Sequence, residues 1–162
     1  MRYTVDQYRR EISSKKILVV GMGRSGVAAV KELNTLGATV TAQDINTVDK
    51  IDPKFITFLE REGIDYYFGS TPEHMECFDV VVLSPGVNPN LEFLNEGRSK
   101  GVEVIGELEM AYRLSRGKYV AITGTNGKTT TTSLVGKIFE ESGRKYTIVG
   151  NIGVATISKV QE

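Results

Sequence analysis

Cysteine is all but missing: Cys77 is the only one in 162 residues, which excludes an internal disulfide and any multi-cysteine metal site. Such usage is that of a reducing compartment, so the expected location is the cytoplasm. Proline is scarce, at 4 residues, and no low-complexity tract, repeat or serine-rich linker interrupts the chain, so disorder is not expected. Net charge is also lacking. Twenty Lys and Arg balance twenty Asp and Glu, and no overall field draws the chain toward nucleic acid or an anionic membrane. No apolar run approaches the roughly 20 residues that span a bilayer, and the opening MRYTVDQYRREISSKK has no apolar signal-like stretch. Neither export nor membrane insertion is expected.

What is present is a folded composition, 40% apolar and 25% charged, in a chain long enough for one good core and short for two. Apolar, β-branched runs recur at Ile17 to Val20, Thr39 to Gln43, Ile64 to Phe68, Val80 to Leu83, Val102 to Ile105, Tyr119 to Ile122 and Tyr146 to Val149. Segments of helical period separate them, as in Ser25 to Leu36 with Val27, Val30 and Leu33, and again around Leu134, Val135, Ile138 and Phe139. The alternation predicts seven strands in α/β units with a parallel sheet. Asp52-Pro53 and Thr71-Pro72 each place a capping side chain before a proline at the first helical position, and both are expected to start helices. Gly37, Gly63, Gly101 and Gly143 each follow a helical pattern, where a left-handed glycine closes a helix.

Two glycine-rich turns carry the chemistry. Gly21-Met22-Gly23-Arg24-Ser25-Gly26 follows the first strand and opens a helix, with Asp44 at the end of the next strand. In that context Gly21 permits the turn, Gly23 lets backbone approach a ligand, and Gly26 packs helix on strand. The N–H groups at the helix start would face a nucleotide diphosphate, and Asp44 could accept from a ribose hydroxyl or from the N–H edge of a base. The second turn, Thr123-Gly124-Thr125-Asn126-Gly127-Lys128-Thr129-Thr130, lies between an apolar run and a helix. Its backbone N–H groups form an anion nest for ATP phosphates, Lys128 adds charge at the β- and γ-phosphates, and the Thr129 hydroxyl can take one site on Mg2+. The glycine expected six positions before the lysine is Ile122 instead, so the loop is a shortened variant.

TGTNGKTT, with Gly150-Asn151-Ile152-Gly153 some way downstream, resembles the ATP-binding loop of the Mur ligases of peptidoglycan synthesis, a loop shared with the related folylpolyglutamate synthases. GMGRSG, the run Asp79 to Val87 and Gly106-Glu107-Leu108-Glu109 resemble the branch of that family that adds D-glutamate to UDP-N-acetylmuramoyl-L-alanine. The likeness covers essentially the whole chain. It implies a Rossmann-like UDP-binding domain over residues 1–106 and the truncated start of a P-loop ATP-binding domain over 107–162. It further implies that Gly23, Arg24 and Ser25 meet the diphosphate, Asp44 meets uracil, and Ser84, Pro85 and Gly86 wall the substrate cleft. Asn151 would orient the substrate, Lys128 would be the catalytic cation, and Gly124, Thr125, Asn126, Gly127, Lys128, Thr129 and Thr130 would hold ATP, with Thr129 on the metal. Ile45 follows Asp44 where the family often has a small hydroxyl side chain. The full-length parent is expected to be a monomeric ADP-forming ligase acting through an acyl phosphate, and the 162 residues alone an inactive nucleotide-binding module, able to self-associate. The remaining alternative, an NAD-dependent oxidoreductase, rests on GMGRSG and Asp44 and leaves TGTNGKTT unexplained.

Other residues carry plainer expectations. His74 is read as solvated, Cys77 as a buried small apolar side chain, and Glu107 and Glu109 as solvated residues of a first helical turn. Arg9, Arg10, Lys15 and Lys16 are read as a solvated basic face, with Tyr3, Val5, Tyr8 and Ile12 covering the sheet edge.

Overall fold

The computed structural model describes residues 4–150 and 153–161. Five parallel strands, β1 (Lys16–Val20), β2 (Thr39–Asp44), β3 (Asp65–Phe68), β4 (Val80–Leu83) and β5 (Glu103–Gly106), form one sheet in the order β3-β2-β1-β4-β5. Helices α1 (Val5–Ile12), α2 (Arg24–Thr35), α3 (Pro53–Glu62), α4 (Glu92–Ser99), α5 (Glu107–Leu114) and α6 (Lys128–Glu141) complete the regular structure. Strand side chains alternate between two cores, as a sheet covered on both faces requires. Ile17, Val19, Val80 and Val82 meet α2, α3 and α5 through Leu33, Leu59 and Leu114. Leu18, Val20, Val81 and Leu83 meet Leu94 of α4 and Met75.

Local chemistry explains the boundaries. Asp52 caps α3 by accepting from the Lys54 N–H at 2.9 Å, with Pro53 next, and Gly63 closes the helix in the left-handed conformation. Gly37, Gly101 and Gly143 are left-handed as well, with φ of 86°, 85° and 68°. Thr71-Pro72, by contrast, starts no helix. The chain stays irregular up to a short 3-10 turn, Met75–Cys77, which drives Met75 to complete burial beneath α4 and so overrides the local signal. The same turn leaves Cys77 exposed rather than buried, its thiol donating to the His74 carbonyl at 2.8 Å.

The sixth and seventh expected strands are not found. Residues 119–122 form no ladder, and Val120 stays 62% exposed; Val149 makes one isolated bridge, to Val154. An apolar run becomes a strand only when a neighbouring strand takes its N–H and C=O groups, and no described strand flanks either run. Helix α6 packs its buried Gly136 toward Ile148 and Tyr146, leaving Leu134 and Ile138 62% and 61% exposed.

The last described residues return to the first core. A 3-10 turn, Thr156–Lys159, buries Ile157 completely and is followed by buried Val160, both packed with Met110, Ala111 and Leu114 of α5. Glu107, expected in solvent, is 4% exposed and accepts from the Ile157 N–H at 2.8 Å. Burial pushes its carboxyl pKa up, while the Ile157 and Thr156 amides pull it down, and the upward effect wins. Arg9 is likewise not a solvated cation: it is half-buried, and its guanidinium donates to the carbonyls of Leu114 and Val160. Glu109 does lie at the surface, paired with Arg113 at 2.8 Å.

Leu33→Ala, in the first core, is expected to cost about 2–5 kcal/mol, whereas Leu134→Ala on the open face of α6 should change stability by no more than about 0.5 kcal/mol. Urea denaturation of the two variants beside the unaltered chain measures both.

Candidate functional site

The sheet order reverses between β1 and β4, the place where ligands enter open α/β sheets at the carboxyl ends of the strands. Here the chain leaves β1 through Gly21, whose N–H donates to Gln43 O at 2.7 Å and whose φ of +87° suits glycine. A Cβ on Gly21 would stand 2.6 Å from Val87 Cγ2. The Gly21 carbonyl accepts from the Ser84 hydroxyl at 2.6 Å, which joins the ends of β1 and β4. Gly26 of α2 lies against that same carbonyl: a Cβ there would be 1.8 Å from Gly21 O and 2.7 Å from Ser84 Oγ. Gly23 is different. It stands at the start of α2 with no side-chain cap, and a Cβ on it would meet nothing within 4 Å. The first N–H groups of α2 therefore open on free space.

That space is a cleft of about 910 Å³, and Gly23, Asp44, Ser84 and Gly86 are among its walls. Arg24, Ser25 and Pro85 stand outside the walls; Arg24 instead reaches the Gly150 carbonyl at 3.4 Å. Asp44 is buried and already engaged. Its Oδ2 accepts from the Met22 N–H at 2.5 Å, and its Oδ1 accepts from the Asn46 N–H and side-chain amide at 2.8 and 2.9 Å. A carboxylate has about four acceptor positions, so one is left for a ligand donor. Sequence reasoning missed Asn46, Val87 and Phe93, all in the cleft wall. The Asx pattern of Asp44 and Asn46 was a legible signal for the first.

In the second turn, residues 124–130 are all exposed. Gly124 and Gly127 have φ of +151° and +76°, and α6 starts at Gly127 without a side-chain cap. Lys128 Nζ folds back onto the Gly124 and Thr125 carbonyls. This donor set fits a polyphosphate: uncapped helical N–H groups, an ammonium, and the Thr129 and Thr130 hydroxyls. For a divalent cation, the described residues hold no cluster of three His, Cys, Asp or Glu side chains, so Thr129 would bind it together with phosphate oxygens. Asn151 lies outside the described residues.

The family description "Mur ligase MurD-like, N-terminal domain" matches residues 15–106, more than half of the chain. The chain belongs to the Mur ligase family. The description "Mur ligase middle domain" matches residues 122–161 of this Mur ligase chain. It is 47% identical over 154 residues to a UDP-N-acetylmuramoylalanine–D-glutamate ligase of Alkaliphilus oremlandii, covering 93% of this chain and 34% of the relative. The protein of the same name from Clostridioides difficile is 40% identical over 152 residues, with 93% and 34% covered. This chain thus spans about a third of the length of the curated relatives it matches. Among solved structures, a pseudomurein peptide ligase type C from Methanothermus fervidus aligns with a TM-score of 0.52 at 28% identity, covering 80% of this chain and 27% of that one. The UDP-N-acetylmuramate-alanine ligase of Thermotoga maritima, with a TM-score of 0.53, 22% identity and coverage of 80% and 30%, shares the fold. Family membership does not favour the oxidoreductase reading. No helix among the described residues of this Mur ligase chain is long and apolar enough to cross a membrane.

Gly26→Ala must push a methyl into a backbone carbonyl and is expected to cost about 3 kcal/mol or more. Gly23→Ala, which meets open space, should cost about 1 kcal/mol or less. Denaturant midpoints of the two variants test the difference.

Proposed function

We propose that this Mur ligase chain supplies the substrate-binding domain (residues 1–106) and the start of the ATP-binding domain (107–162) of a cytoplasmic ligase that joins D-glutamate to UDP-N-acetylmuramoyl-L-alanine. The observation that carries this reading is the uncapped start of α2, open at Gly23 onto the cleft between the ends of β1 and β4. A diphosphate is the ligand that such a helix start favours, because its N–H groups lack partners and the helix dipole adds positive potential. The names of the relatives support the choice of substrates.

In the reaction, an oxygen of the L-alanyl carboxylate forms a bond to the γ-phosphorus of ATP as the bond to the bridging oxygen breaks and ADP leaves. The amine of D-glutamate then attacks the acyl carbon, inorganic phosphate departs and the amine loses a proton. No side chain of this chain need form a covalent bond. Lys128 exchanges its carbonyl partners for the transferring phosphoryl oxygens, where charge spreads in the transition state. The helical N–H groups after Gly127 hold the remaining phosphate oxygens, and Thr129 supplies a hydroxyl to Mg2+, which when bound neutralises phosphate charge. Gly23 and the main-chain N–H groups of Arg24 and Ser25 at the helix start fix the diphosphate of the other substrate, Asp44 offers its remaining acceptor position to the uracil N–H, and Ser84 and Gly86 bound the sugar end, with Pro85 holding the turn between them. Asn151 would orient the substrate, as the family resemblance implies.

Melting curves test this. UDP-N-acetylmuramoyl-L-alanine at 100 times its Kd stabilises by about 2.7 kcal/mol, a rise of roughly 5–10 °C for a chain of this size, and NAD is expected to give none. Gly23→Val, whose Cβ meets nothing within 4 Å and whose methyls fill the open approach, should abolish that rise. Lys128→Ala should leave it intact and remove the smaller shift given by MgATP. A shift with NAD alone, or none with the UDP compound, overturns the proposal.

A further inference from the structure

The turn Thr156–Lys159 is held at both ends by side chains far away in sequence. At its amino end, the buried Glu107 carboxylate accepts from the Ile157 N–H at 2.8 Å, with the Thr156 amide also directed at it. At its carboxyl end, Arg9 of α1 donates to Val160 O and, at 2.8 Å, to Leu114 O at the end of α5. The charges suit the ends they occupy: an anion where backbone N–H groups point out and a cation where carbonyls do. A third tie runs from the Gln161 side-chain amide to Glu32 of α2. Between these ties Ala155, Ile157 and Val160 are buried in the first core. Immediately upstream, the Gly150 N–H donates to Val154 O at 3.0 Å, and the Gly150 carbonyl accepts from Arg24 at the open start of α2. The position of Gly150 beside Arg24 is thereby tied to a segment that Glu107 and Arg9 immobilise.

We propose that Glu107 and Arg9 are positioning residues, which clamp the two ends of the turn Thr156–Lys159 onto the first core and so set where Gly150 stands beside Arg24. The clamp joins the segment at Gly150 to the start of α2 through Arg24. Its effect on ligand uptake rests on the assignment of that cleft to a UDP compound.

The test is hydrogen exchange and UDP titration on the 162-residue chain and its Glu107→Ala, Glu107→Gln and Arg9→Ala variants. Glutamine keeps a carbonyl acceptor of the same reach, whereas alanine leaves buried N–H groups without a partner. Exchange at the Gly150 and Ile157 amides is expected to accelerate roughly tenfold or more in Glu107→Ala and Arg9→Ala, through local opening. In Glu107→Gln those amides should stay protected. The Val19 and Val81 amides in the sheet should be unchanged throughout, which separates release of the turn from global unfolding. UDP affinity should fall several-fold in Glu107→Ala and be restored in Glu107→Gln. Unchanged exchange at Gly150 in both alanine variants overturns the clamp. Accelerated exchange with UDP affinity unmoved overturns its positioning role, leaving a purely structural contact. If the unaltered chain takes up no UDP, the UDP assignment itself falls, while exchange at Gly150 still decides whether the clamp exists.

Discussion

The contact between the Gly21 carbonyl and Gly26 is the constraint on which the substrate end of the molecule depends. With no side chain at position 26, the first turn of α2 can lie directly against the last peptide of β1, and only then does the start of the helix stand over the carboxyl ends of β1 and β4. The same carbonyl takes the Ser84 hydroxyl, so the two strands at the switch point and the helix that covers them meet at one oxygen. Asp44 adds the third strand by holding the Met22 N–H. Two strands distant in sequence, β2 and β4, are thus fixed by hydrogen bonds to a single six-residue turn. A ligand arriving there finds its donors already aimed, which lowers the ordering cost of binding.

This arrangement changes what Asp44 can be said to do. Its carboxylate is first an internal brace, with three of its acceptor positions taken by Met22 and Asn46. Removing it would loosen the glycine turn as well as any contact to a base, so loss of binding in such a variant would not identify a base contact. Gly23 separates the two effects better, because nothing in the fold touches the space beyond it. Ile45, 87% exposed at the cleft, has no core role either, and its side chain is free to serve the ligand.

Strands β1 to β5 were legible because each apolar run has its ladder partner within the chain, and the caps at Asp52 and Gly63 act on their own neighbours. The runs at 119–122 and 146–149 carry the same pattern, but a pattern states only that a segment would suit a sheet, and no described strand accepts these two. The helix expected from Thr71-Pro72 did not form because the burial of Met75 beneath α4, some twenty residues later, decides the path of that segment, and Cys77 is turned outward by the same short turn. Glu107 and Arg9 are the deeper misses. Both sit where a helix would ordinarily expose a charge, and each is drawn inward by backbone groups 50 and 151 positions away. At the site, the glycines of the first turn could be read from spacing, since each acts on the backbone of its own turn or an adjacent strand, whereas Ser84 followed only from the family resemblance. Val87 and Phe93 could not be read, because the cleft brings them together only through the crossovers, whereas Asn46 was within reach of the local Asx pattern with Asp44.

The two glycine turns therefore differ in kind although their sequences look alike. The first is over-determined: a Cβ at Gly21 or Gly26 collides with Val87, Ser84 or backbone, and its shape persists without a ligand. In the second, a Cβ at Gly127 meets nothing and one at Gly124 only an ordinary contact, and the ammonium of Lys128 closes the loop on its own carbonyls. Those carbonyl bonds are what a phosphate must replace. The exchange is favourable for a polyanion, because a charge-assisted bond to phosphate is stronger than one to a neutral carbonyl, and unfavourable for a neutral ligand. The first turn selects by a shape that is already built, and the second by the charge needed to reopen it.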